Sequence, residues 1–162
     1  MKKGIIIIAV VFLLLIGYRV YLWIRPEPVV DESVVSEIHD LLVDNGYDII
    51  AGDGFASYNA IKDFHYMTPL DEELEIHDYN LYPEYFEVYI FIYKTENDAI
   101  IKTGQFSPKG DVYLGDNGSY SHNGYHTAPR FYRVRNAIVL FIGVDPAVQG
   151  LLEAHCGDPF AG

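Results

Sequence analysis

The sequence predicts an α+β fold: one small domain with about three helices packed on one face of a largely antiparallel sheet, behind a single N-terminal transmembrane helix. Three observations carry that prediction. The first 25 residues hold an apolar run of membrane-spanning length. Beyond it, helical and alternating periodicities follow in the order helix, strand, strand, helix, several strands, helix. Capping and turn residues stand at most of the boundaries between them.

The chain opens Met1-Lys2-Lys3-Gly4 and runs from Ile5 to Tyr18 without a charge. Gly4 to Ile24 would make a helix about 31 Å long, which matches a hydrocarbon core of about 30 Å. Arg19 lies near the far end, where its head can reach the interface, and Tyr18, Tyr21 and Trp23 supply an aromatic belt there. A cleaved signal peptide fits less well, because bulky residues stand where a small-x-small cleavage site is needed. Lys2, Lys3 and the amino terminus precede the span, and only Arg19 and Arg25 mark its other end. That balance predicts a cytoplasmic N-terminus and an extracytoplasmic C-terminal domain in the cell membrane. The expected organisation is anchor 1–25, Pro-rich linker 26–30 and acidic soluble domain 31–162.

All 23 acidic residues lie beyond the anchor with only seven of the 11 Lys and Arg, which leaves the remainder at −16. Such a charge repels nucleic acid and anionic lipid surfaces, so neither is expected as the domain's partner. The single cysteine, Cys156, excludes an internal disulfide framework and makes thiolate metal clusters implausible. Twelve of the 14 tyrosines are in the domain, the composition of half-buried rings with wet hydroxyls.

Within the domain, Val34, Val35, Ile38, Leu41 and Leu42 recur at helical spacing. Asp31 is the expected N-cap, Val30 and Val35 the staple, and Gly46 the stop. Tyr47 to Ala51 reads as a strand, and Phe55 to Leu81 is the least regular stretch, with a short helix expected after Thr68-Pro69. Tyr85 to Tyr93 is the clearest strand. Phe86, Val88, Ile90 and Ile92 make an aliphatic face and Tyr85, Glu87, Tyr89, Phe91 and Tyr93 a mostly aromatic one, so both faces are expected to be covered. Thr95 caps a helix that stops at Gly104. Gly110 to Pro129 is turn-rich, with a hairpin expected at Ser121 to His126 around Asn123-Gly124. Phe131 to Arg135 and Ile138 to Val144 form a second hairpin turning at Asn136, and Asp145-Pro146 opens the last helix.

No catalytic motif, nucleotide loop or metal box is present at diagnostic spacing, and nothing asks for a cofactor. His122 and His126 would diverge across the expected hairpin, while His39, His65 and His77 lack partners at metal-ligand spacing. Asp71, Glu72, Glu73, Glu75 and Asp78 could offer oxygens to a divalent cation, although no Asp-rich calcium loop is formed and a charge run is usually a solvated face. Asp116-Asn117-Gly118 is best explained by turn chemistry. Tyr79, Tyr82, Tyr85 and Tyr89 among Asp78, Glu84 and Glu87 make a possible ligand surface, or the surroundings of a carboxylate pair in a cell-envelope hydrolase. The leading expectation is a membrane-anchored interaction domain binding an envelope protein or a cell-wall polymer, ahead of that hydrolase and of a cation-responsive domain.

Overall fold

The computed structural model describes residues 30–52, 58, 60–68, 84–122, 125 and 127–162. The anchor with its end residues Lys2, Lys3, Arg19, Trp23 and Arg25, and the helix expected after Pro69, lie outside them. No helix among the described residues is long and apolar enough to cross a membrane.

Helix α1, Ser33–Asp44, buries Val34, Ile38 and Leu42, the i, i+4, i+8 stripe expected of an amphipathic helix. Its N-cap is Glu32 rather than Asp31, and the Glu32 side chain makes no capping bond. Asp31 instead accepts the Ser33 N–H and hydroxyl at 3.0 and 2.7 Å, a turn just ahead of the helix. At the other end Gly46, at φ +87°, permits the reversal: its N–H reaches the Val43 carbonyl and that of Tyr47 the Leu42 carbonyl. Closing the helix in this way uses the start of the expected strand, which shrinks to β1, Ile50–Ala51.

Strand β2, Lys62–Met67, stands in the stretch that looked irregular, and β3 is Phe86–Ile92. Helix α2, Glu96–Thr103, starts with a full capping box, in which Thr95 Oγ1 accepts from Asp98 N–H and the Asp98 carboxylate accepts from Thr95 N–H, both at 3.1 Å. Strand β4, Val112–Leu114, pairs with β5, Tyr120–His122. Tyr120–His122 thus pairs with β4 across a turn at Gly115–Ser119, and the turn expected at Asn123-Gly124 lies outside the described residues. Strands β6, Arg130–Val134, and β7, Ala137–Gly143, form the predicted hairpin, and α3, Pro146–Cys156, starts at Asp145, whose carboxylate accepts from Ala147 N–H at 2.8 Å.

The main sheet runs β1-β2-β3-β7-β6 with every neighbouring pair antiparallel. Strands β3 and β7 pair over seven residues at its centre and are buried on both faces. One face is aliphatic: Phe86, Val88, Ile90 and Ile92 with Val139 and Phe141, covered by α1 and by Val148 and Leu152 of α3. The other is aromatic: Tyr85, Tyr89, Phe91 and Tyr93 with Ile138, Leu140 and Phe131, covered by Ala99 of α2, Tyr58, and Tyr113 of β4. The helices are therefore divided, α1 and α3 on one face and α2 on the other. The reason lies in β3 and β7, whose two apolar faces both need cover, at roughly 1.5–3 kcal/mol for each large side chain withdrawn from water.

Candidate functional site

A group of four titratable side chains lies on the aromatic face, where β2 meets β3. Alternation along β3 sends Tyr85, Glu87 and Tyr89 to this face. Register then sets His65 directly opposite Tyr89. The imidazole stacks on the Tyr89 ring at 4.0 Å between centroids, the planes 7° apart. Its Nε2 lies 3.1 Å from Glu87 Oε2. Tyr85 donates its hydroxyl to Glu87 Oε1 at 3.2 Å, and Tyr89 donates to Oε2. One carboxylate thus gathers three donors while its side chain is 16 % exposed.

The other side of His65 is filled as well. Gly52 donates its N–H to the His65 carbonyl at 3.0 Å, and a Cβ at Gly52 would come within 2.4 Å of Nδ1. Burial is the first cause that raises the phenol pKa values of Tyr85 and Tyr89 well above the ordinary range; the Glu87 carboxylate, accepting their hydrogens and carrying negative charge, raises them further. Both phenols stay protonated donors at neutral pH. With three donors on Glu87 and Gly52 against the imidazole, the cluster ties β2 to β3. A general base needs an accessible lone pair, which this packing disfavours.

Two further tyrosines extend the polar seam. Tyr58 and Tyr125 share a hydrogen bond of 2.6 Å between hydroxyls, and Tyr93 donates to the Tyr58 carbonyl at 3.2 Å. At the edge of the aromatic layer Lys102 Nζ lies 2.6 and 2.7 Å from the two oxygens of Asp116, and Gln105 also donates to Asp116 at 2.7 Å. That carboxylate fastens α2 to the β4–β5 turn. Asn117 Oδ1 accepts from Ser119 N–H and Oγ–H at 3.0 and 2.6 Å, with Gly118 at φ +78°, so this segment is built by turn chemistry as expected.

Of the residues singled out in the sequence, Asp71, Glu72, Glu73, Glu75, Asp78, Tyr79 and Tyr82 lie outside the described residues, as do His77 and His126. Tyr85 and Tyr89 are buried in the aromatic layer with their hydroxyls on Glu87. His65, set aside for want of a partner in sequence, finds one across the sheet. The signal was a histidine in a stretch of alternating side chains, but its partner could be named only once β2 was registered on β3. Among the described residues no three His, Cys, Asp or Glu side chains converge as metal ligands. Cys156 is largely buried, which pushes its thiol pKa up to about 12 and keeps it a thiol at neutral pH. Comparison with protein-family models, curated proteins and solved structures finds no match for the chain.

Proposed function

We propose that the chain is a membrane-tethered interaction domain, held outside the membrane by Gly4–Ile24, that engages an envelope protein or a cell-wall polymer. The observation that carries this reading is where the domain's cations go. Lys62 faces Glu32, Lys102 faces Asp116, Arg130 faces Glu153, Arg133 faces Glu96, and Arg135 faces Glu37. Five of the seven Lys and Arg beyond the anchor are thereby committed to internal pairs. The four pairs other than that of buried Lys102 with Asp116 are exposed and add little stability, but all five leave a surplus of carboxylates to set the field that a partner meets. A basic protein surface or a neutral polymer suits that field.

The test uses the full-length chain with an unfolded C-terminal tag. External protease should remove the tag from intact cells, and the chain should be retained on isolated envelope material. For a basic partner, retention should weaken as salt rises toward 1 M, where screening acts within about 3 Å; retention on a neutral polymer should persist. A tag protected until the cells are opened would refute the extracytoplasmic placement. An external tag with no retention at low salt would refute the binding reading.

A further inference from the structure

The place where the chain enters the domain is held by an unusual junction. The β6–β7 turn consists of Arg135 and Asn136, and Arg135 sits at φ +50°, a left-handed conformation that disfavours a side chain. Asn136 is buried, and its Nδ2 donates to the Asp31 carbonyl at 2.9 Å and to the Tyr93 carbonyl at 3.0 Å. Tyr93 returns its N–H to the Asn136 carbonyl at 2.9 Å. Arg135 donates to Ser33 Oγ at 3.0 Å and to the Glu37 carboxylate. One two-residue turn therefore binds the first turn of α1 to the end of β3.

Local rules are broken here more densely than elsewhere in the described structure. Among the described residues four buried side-chain polar atoms lack a hydrogen-bond partner, and two belong to this junction. They are Asn136 Oδ1 and His155 Nε2, the latter 3.4 Å from a Glu37 oxygen without a hydrogen bond. Arg135 is one of two non-glycine residues at positive φ among the described residues. Helix α1 has no side-chain bond from its N-cap residue, no acid in the first turn and no base in the last. Conflicts between local preference and global fold gather where a structure does something beyond staying folded.

We propose that the Arg135–Asn136 turn is a latch: opening it releases residues 31–44 from the sheet while β3 and β7 stay paired. Release would uncover the part of the aliphatic core that Val34, Ile38 and Leu42 complete. Because Asp31 is where the chain from the anchor arrives, tension on that segment acts on the latch first. The latch stands on this geometry alone; the source of the tension rests on the tethered reading above.

Hydrogen exchange of the full-length chain in detergent micelles tests it. Asn136→Ala removes two hydrogen bonds and should speed exchange of the α1 amides roughly ten- to a hundredfold, with those of β3 and β7 changed less than about threefold. Arg135→Ala should act on the same amides more weakly, and Thr95→Ala should speed only those of α2. Equal acceleration in α1, β3 and β7 would show that α1 opens only with the whole domain, and unchanged α1 exchange would show that the turn does not hold it. Either result overturns the latch. Should Asn136→Ala fail to fold, the Arg135→Ala comparison decides on the same criterion.

Discussion

Replacing Glu87 by Gln tests whether the His65–Glu87 cluster is a structural tie. The carboxylate accepts from Tyr85, Tyr89 and His65. Glutamine can hold its carbonyl oxygen where Oε2 accepts from Tyr89 and His65, but it turns an NH₂ group toward the Tyr85 hydroxyl, so one bond is lost and the other two lose their charge. A hydrogen bond to a charged group contributes about 1.5–3 kcal/mol, which puts the expected loss at about 2–3 kcal/mol. For a domain of this size a urea m-value of about 2 kcal/mol/M turns that into a midpoint lower by roughly 1–1.5 M. The assay is urea unfolding of the full-length chain in detergent, followed by tyrosine fluorescence and far-ultraviolet circular dichroism. Tyr89→Phe removes one of the same bonds, so the double variant should be less destabilised than the sum of the single ones. A loss below about 1 kcal/mol with additive single effects would refute the tie.

Three further outcomes are expected. Gly52→Ala should destabilise by about 1–3 kcal/mol in the same unfolding assay, because the new methyl meets the imidazole of His65 and the Met67 side chain inside contact distance. Thr95→Ala should cost about 1 kcal/mol by removing the α2 cap, seen as a small midpoint shift with an unchanged m-value. Burial raises the pKa values of Tyr85, Tyr89, Tyr93 and Tyr125 far above 10, and that of Tyr132 to about 12. Their contribution is complete below pH 10, where unfolded tyrosine is protonated, and is lost as pH rises above it. Tyrosinate absorbance near 295 nm should therefore lag behind free tyrosine and then appear together with unfolding; a full titration near pH 10 by a folded chain would contradict the burial.

Much of the fold was legible because the relevant signals are local. Thr95 three residues before Asp98, and Asp145 ahead of Pro146, mark helix starts through bonds that close within four residues. Alternation in β3 announced two apolar faces. Strand β2 was hidden because its side toward the aromatic face carries Asp63, His65 and Met67, and a histidine and an aspartate break the apolar pattern that marks a strand. The cap at Asp31 was displaced by one residue because tertiary bonds from Asn136 and Arg135 hold that end of the helix. The placement of α2 on the far face followed from β7 settling beside β3, a pairing that no short window of sequence contains.

The sequence by itself determined the apolar N-terminal run, the acidity, the lone cysteine, most helix boundaries and the two-faced character of β3, since each depends on composition or on neighbours a few residues apart. Only the tertiary structure decided that His65 meets Glu87, that α1 and α2 lie on opposite faces, and that Asn136 reaches Asp31. Those depend on register and on contacts 22 to 105 residues apart, where strand pairing and burial choose among many locally equal arrangements.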